Sequence, residues 1–259
     1  MELETSQSFN RYVLPKQPIA VTAQQVTGIS LSCNEMTVNG HIVEPSSVTT
    51  ALNDFCTWLE KFNNVILVAH NGRRFDFPVI ISAINNVQLQ ERFFKCVSGC
   101  TDSLSVFRKQ YPGRSSYKQI DLVHDILGAT YGAHDATEDV RALGHLLKHS
   151  ASHQTVLPFS FSPEAVYKNQ IYNREKSKNF PSLSVLVSSG ICKLNIAENI
   201  AGSGLNLEHL RTIFSREGED GLTNIFISKN SDGQPRVTNT KRVLESVIPK
   251  LVELFSKNS

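Results

Sequence analysis

The sequence predicts an α/β layered domain over residues 1–150, followed by a smaller helical region. Three observations carry this. Val65-Ile-Leu-Val-Ala69 is a continuous apolar run, the pattern of a strand buried on both faces of a parallel or mixed sheet. Segments with helical spacing lie on either side of it. Beyond a largely polar, proline-containing stretch at 151–162, read as a linker, the pattern turns mainly helical over 163–259.

The elements follow in chain order. Phe9 to Leu14 alternates, is rich in β-formers and stops at Pro15, so it reads as a strand. Ile19 to Ile29 reads as a short helix and turn. Val48 to Phe62 places Val48, Leu52, Phe55, Cys56 and Leu59 on one helical stripe. Asn71-Gly72 ends the Val65–Ala69 strand, and Phe75 to about Asn85 reads as a helix. Cys96-Val97 and then Asp102 to Arg108 suggest a short strand running into a helix. Tyr117 to Leu127 and Glu138 to Lys148 are helical. In the last region, Ser182–Val187, Asn206–Phe214 and Thr238–Phe255 each carry a helical stripe.

Composition excludes several classes. Hydrophobic residues make up 40% and charged residues 19% of the 259, an ordinary globular balance rather than that of a disordered chain. No run approaches the ~18 apolar residues that span a bilayer, and the N-terminus has no basic segment followed by an apolar one. The expectation is an intracellular protein of nucleus or cytoplasm with no membrane partner. The five cysteines lack the paired spacings of a zinc site, so reduced thiols are expected. The net charge is only +2, divided as −1 over residues 1–150 and +3 over 151–259, which does not by itself announce nucleic acid.

Two segments concentrate chemistry. In Val68-Ala-His-Asn71-Gly-Arg-Arg-Phe75-Asp76-Phe-Pro78, a carboxylate sits just past the end of a buried strand. In His134-Asp-Ala136-Thr-Glu-Asp139-Val-Arg-Ala-Leu143, a histidine precedes a helix whose first turn holds an aspartate. Carboxylates at strand ends of an open α/β sheet can converge on a metal.

Asn71-x3-Phe75-Asp76 resembles the second motif of the DEDDh 3′→5′ exonucleases, in the form found in three-prime repair exonucleases. His134-x-Ala136-x2-Asp139 resembles their third motif. Tyr12-Val-Leu-Pro15 and Val26-Thr-Gly-Ile29 are similar to a segment of bacterial polymerase III-type proofreading domains, and Thr101-Asp102-Ser-Leu104 to a shared strand–helix junction. The resemblance covers about residues 9–148. The whole chain is also similar to fish exonuclease-like proteins related to an alternative C-terminal exon of the promyelocytic leukaemia protein.

The resemblance implies a ribonuclease H-like mixed sheet flanked by helices, with a DEDDh exonuclease-like domain over 1–150. It implies two-metal phosphodiester hydrolysis by Mg²⁺ or Mn²⁺. Asp76 and Asp139 would be metal ligands and His134 the general base, while Asn71 would help hold the site or substrate; apart from the resemblance, Arg74 beside Asp76 suits a phosphate contact as well as solvent. The implied partner is nucleic acid, single-stranded DNA or DNA 3′ ends. Related repair exonucleases dimerise, so a homodimer is expected on the same ground. Hard cations take carboxylate oxygens, and two of them can activate water and relieve charge on the leaving oxygen. An imidazole of ordinary pKa near ~6.5 suits proton removal.

The family's first motif, Asp-x-Glu followed by Thr, has one candidate here, Glu2-Leu-Glu4-Thr5. Thr5 stands only four residues from Phe9, where the family places a further strand. Two readings follow. Either Glu2 and Glu4 are ligands of a degenerate motif, or the sheet lacks its first strand. The second implies an alternative function, a catalytically impaired exonuclease fold that binds nucleic acid or protein. A third option makes the helical tail the functional part and the first domain its scaffold.

Neighbouring residues have simpler readings. Asp102 is expected to cap a helix, and Asp135 and Glu138 to be solvated. Arg73 is as consistent with solvent as with phosphate. Lys168, Arg174, Lys176 and Lys178, with Tyr167 and Tyr172 between them, read as a solvated helix face before a strand-binding surface.

Overall fold

The structure, a computed structural model, describes residues 7–32, 35–133, 135–230 and 232–257. Two compact units are present, Met1–Tyr167 and Lys168–Ser259.

The first unit begins with an extended segment rather than the strand expected over Phe9–Leu14. Its one ladder contact is an isolated parallel bridge, Val13↔Ser46, in which Leu14 donates to the Ser46 carbonyl and Ser46 to that of Tyr12. Phe9 instead packs its ring against Phe55 and Trp58, at 5.3 and 5.9 Å between centroids. Side-chain burial against a helix holds this segment where a ladder was expected.

After helix α1 (Val21–Thr27) comes an antiparallel meander, β1 (Ile29–Ser32), β2 (Glu35–Val38) and β3 (His41–Val43), which the sequence reading missed. Asn39 and Gly40, with φ of 51° and 80°, join Val38 to its partner His41. Two positive φ values are what a tight two-residue hairpin turn requires, and Asn-Gly supplies them. Helix α2 (Val48–Leu59) follows, its first turn capped by Ser47, which accepts from the Thr50 amide at 3.0 Å.

The functional half of the unit is a second sheet, in the order β4-β5-β6: β4 (Val65–Ala69), β5 (Val97–Asp102) and β6 (Ser160–Phe161). β4 and β5 are parallel, with Ala69 opposite Asp102 at their C-terminal ends. Between them run α3 (Asp76–Asn86) and α4 (Gln90–Cys96), and beyond β5 come α5 (Ser103–Gln110), α6 (Gln119–Leu127) and α7 (Ala136–Ser150).

The apolar run of β4 is explained by its two faces. Val65, Leu67 and Ala69 pack on the cluster of Cys56, Leu59, Phe77, Ile81, Ile84 and Phe93. Val68 packs on the opposite cluster of Phe107, Leu122, Val123, Leu143, Leu146 and Leu147. Successive strand side chains point to opposite faces, so a strand with a core on each side has no polar position to spare. Among the described residues β5 is the sole partner of β4. Glu2 and Glu4 lie outside the described residues.

The stretch 151–162, expected as a linker, is taken into the first unit. Helix α8 (His153–Val156), a 3₁₀ turn (Leu157–Phe159) and β6 occupy it. Val156 is buried in the α5–α7 cluster, and β6 pairs antiparallel with β5, Cys100 opposite Phe161. Polar composition hid it because only scattered apolar residues anchor it.

The second unit is helical. Helix α9 (Pro163–Ser188) contributes its later residues, joined by α10 (Leu194–Gly202), α11 (Leu207–Ile227) and α12 (Lys241–Ser256). Its core gathers Leu183, Leu186, Ile196, Ile200, Leu210, Leu222, Phe226, Ile248 and Leu251. Gly202 lies flat against Tyr172, where a Cβ would fall 2.1 Å from the ring. The Tyr172 hydroxyl donates to the Glu198 carbonyl at 3.3 Å and bonds Asn199 Oδ1 at 3.1 Å.

Among the described residues Cys56, Cys96, Cys100 and Cys192 are free, in line with the expected reduced thiols; Cys33 lies outside them. Burial pushes each thiol's pKa up, that of Cys100 to about 12, which keeps the reactive thiolate form scarce. No helix among the described residues is long and apolar enough to cross a membrane.

Leu146 is fully buried between α6 and α7. Leu146→Ala should remove about 2–5 kcal/mol of unfolding free energy through lost contacts and a residual cavity. Urea denaturation would show this as a lower midpoint at unchanged slope.

Candidate active site

A cleft of about 1210 Å³ opens at the C-terminal end of β4. Its lining draws on Val68 to Asn71, Phe75, Asp76, the Ser115–Ile120 segment, Tyr131, Asp139 and Val140. Asp76 opens α3 and Asp139 lies in the first turn of α7, so two helix N-termini meet the cleft. The partial positive charge at each helix start favours the ionised form of the aspartate it carries.

The turn after β4 is held from two sides. Asn71 adopts a left-handed conformation, φ 59°, which asparagine tolerates better than most residues. Its carbonyl accepts from the amides of Arg74 at 3.1 Å and Phe75 at 3.3 Å. From the other side, Asp102 reaches across from the end of β5. One of its oxygens accepts from the Arg73 amide at 3.2 Å, and the other caps α5 through the Leu104 amide at 3.0 Å. Asp102 is thus the structural carboxylate expected, buried and occupied on both oxygens.

His70 also lines the cleft, half-buried. Its Nε2 lies 2.8 Å from the Tyr117 carbonyl and its Nδ1 2.9 Å from the Ser103 hydroxyl. A carbonyl only accepts, so Nε2 carries the proton, and in the neutral ring Nδ1 accepts from Ser103. Burial lowers the His70 pKa, opposed by the Tyr117 carbonyl and by the charges of Asp102 and Asp76. With both nitrogens engaged, His70 pins the Tyr117 loop to the strand end and has no lone pair left for a metal.

Around Asp139, the Gln119 amide donates to its main-chain carbonyl at 2.8 Å and to the Tyr131 hydroxyl at 3.1 Å. Burial raises the Tyr131 pKa, and the negative charge of Asp139 raises it further. Asp135 caps α7, accepting from the amides of Thr137 at 2.9 Å and Glu138 at 3.0 Å, a structural role the sequence reading did not assign. Glu138 pairs with Arg141 at 2.9 Å on the surface.

The cleft therefore brings Asp76, Asp139 and Asn71 together. Arg74 lies outside the lining, its guanidinium 5.5 Å from the Phe75 ring. Arg73 is stacked 3.7 Å over Phe161. His134, like Glu2 and Glu4, lies outside the described residues. His70, Arg108, Tyr117, Lys118, Gln119 and Tyr131 line the cleft without having been singled out. Of these only His70 had a signal, its place inside the Ala-His-Asn motif.

The basic cluster of the second unit is largely neutralised. Lys168 pairs with Asp232, Arg174 with Glu175 at 3.7 Å and Lys176 with Glu198 at 3.6 Å. This is the solvated helix face expected, with its charge spent inside its own unit.

A cation held at the cleft has two carboxylates of the right hardness. Mg²⁺ commonly takes one or two carboxylates and completes its shell with water and phosphate oxygens, and Asp76 with Asp139 fits that donor set. Among the described residues no group of three or more His, Cys, Asp or Glu side chains converges on one point.

A three-layer α/β unit with its cleft at the strand ends, followed by helices, is the ribonuclease H-like architecture. Residues 3–126 match the family model described as the Exuperantia RNAse H-like domain. Residues 179–254, within the second unit, match the model described as PML, C-terminal domain. Three prime repair exonuclease 2 of Mus musculus is 27% identical over 151 residues, covering 53% of this chain and 59% of that protein. The chain thus spans about three fifths of the length of the curated relative it matches.

His70 also makes a pH prediction. Its folded pKa lies below the ordinary 6.5, so as pH falls through that value the unfolded chain takes up a proton that the folded chain refuses. Its contribution to stability is intact above pH ~6.5 and declines below it until the folded pKa is passed. Denaturation midpoints at pH 7.5 and 5.5 should differ less in His70→Gln than in the unaltered chain.

Proposed function

We propose that the first unit is a metal-dependent 3′→5′ exonuclease of the DEDDh kind, removing nucleotides from nucleic acid and from single-stranded DNA ends in particular. One observation carries the reading. Asp76 and Asp139, from opposite sides of the sheet's helical layers and far apart in sequence, line one cleft at the end of β4.

In this reading Asp76 and Asp139 hold Mg²⁺ or Mn²⁺ together with water and the scissile phosphate. Cations held there, two in a complete site, would supply relief of charge on the leaving oxygen and a more readily deprotonated water. His134, at the start of the α7 motif, takes the proton from the attacking water. Lys118 and Arg108, in the same lining, draw the backbone in, and Asn71 holds its first contact. The similarity to three prime repair exonuclease 2 supports the reaction class and the polarity.

A second reading has its own support. The described cleft offers two carboxylates and a histidine already committed to Ser103 and Tyr117. A chain with too few ligands keeps the fold and the cationic rim, and binds nucleic acid without cutting it.

Incubation of the full chain with 5′-labelled single-stranded DNA separates the two. The first reading expects Mn²⁺-dependent shortening from the 3′ end, stopped by chelator and reduced at least ~10²-fold in Asp139→Asn and in Asp76→Asn. Retention of intact DNA without product is the result of the second. Cleavage that survives chelation or Asp139→Asn sinks the site assignment.

A further inference from the structure

The helix that carries Asp139 in its first turn carries a different pair of side chains near its other end. His145 and His149 stand four residues apart on α7, little more than one helical turn, so both imidazoles issue from one face, about 6 Å apart along the axis. That face is turned to solvent. Leu143, Leu146 and Leu147 take the buried side of the helix, while His145 and His149 are exposed and, among the described residues, have no hydrogen-bond or ion-pair partner. Each ring therefore has a nitrogen lone pair to offer. Gly144, beside His145, adds no side chain, and a Cβ there would meet nothing within 4 Å. The surroundings leave room for a cation and its waters.

We propose that His145 and His149 form a bidentate site for a borderline divalent cation of the zinc class, with water in the remaining positions. Two histidines at this helical spacing can bite one tetrahedral centre, the geometry by which paired helix histidines hold zinc. Imidazole nitrogen suits Zn²⁺, Cu²⁺ and Ni²⁺, whereas Mg²⁺ and Mn²⁺ prefer carboxylate oxygens such as those of the cleft. The electrostatics favour a cation here. His149 lies in the last turn of a 15-residue helix, where the partial negative charge of the helix end falls. Of the neighbouring cations, Arg141 is paired with Glu138 at 2.9 Å, and Lys148 is exposed, where water and salt screen it. A cation held by both rings ties the last turns of α7 together, so its binding adds to the stability of the folded chain. Neither histidine lines the cleft, so the site stands apart from the metal-dependent reading above.

The test uses the full chain, stripped of metal, with Zn²⁺ alone as probe and calorimetry as the readout of binding. A background of Asp76→Asn with Asp139→Asn removes the carboxylates of the cleft and should still take up Zn²⁺. In that background His145→Ala and His149→Ala should each weaken binding at least ~10-fold, because a direct ligand counts for no less than the outer partners whose loss costs ~10–100-fold. Zn²⁺ should also raise the thermal midpoint of the unaltered chain. That rise should vanish in either histidine variant, while their metal-free midpoints and circular dichroism stay close to those of the unaltered chain. Zn²⁺ held as tightly after both substitutions, or weakened by only one of them, overturns the bidentate site, as does a chain that takes up no Zn²⁺ at all.

Discussion

Asp102 sits where two parallel strands end, and its carboxylate is shared between the two segments that must be in register for a cleft to exist. One oxygen holds the turn that leaves β4 and the other starts the helix that leaves β5. A buried carboxylate is costly unless satisfied, and here backbone amides do that. The backbone from Asn71 to Asp76 is thereby tied to the end of β5 rather than left as a free loop. His70 adds a second tie, its Nε2 donating to the Tyr117 carbonyl and its Nδ1 accepting from the Ser103 hydroxyl. The position of Asp76 thus depends on hydrogen bonds made by Asp102 and His70.

The opposite wall is built differently. Asp139 rides on α7, whose apolar face of Leu143, Leu146 and Leu147 is sunk into the core and whose first turn is fixed by the Asp135 cap. Packing therefore sets the height of Asp139 above the sheet, and the Gln119 amide is bonded to its main-chain carbonyl. The cleft owes one wall to hydrogen bonds at a strand end and the other to a helix packed on the opposite face of that strand.

Much of this was legible in the sequence. The run Val65–Ala69 announced a strand with two covered faces, and Val68 does pack opposite Val65 and Leu67. The motif spacings pointed to Asp76 and Asp139, which share a cleft. The β1–β3 meander was not read, since its strands are three or four residues long, too short for alternation to register, although Asn39-Gly40 marked the turn. The segment at Phe9 looked like a strand because an alternating aromatic residue fits a ladder as well as a helix-packing ring. Lys168, Arg174 and Lys176 looked available because pairing with Asp232, Glu175 and Glu198 is mostly a matter of tertiary structure. Gln119 and Tyr131, which also line the cleft, carried no signal, since isolated neutral side chains have no spacing rule.

In the second unit, the flat contact between Gly202 and the Tyr172 ring leaves no room for even one methyl group. Alanine at 202 would drive the ring out and sever its bonds to Glu198 and Asn199. A smaller residue at 172 alone would open a void beside α10. Neither position can drift by itself at low cost, so over descent the two should covary, small facing large, and a homologue with a bulkier 202 should carry a trimmed 172.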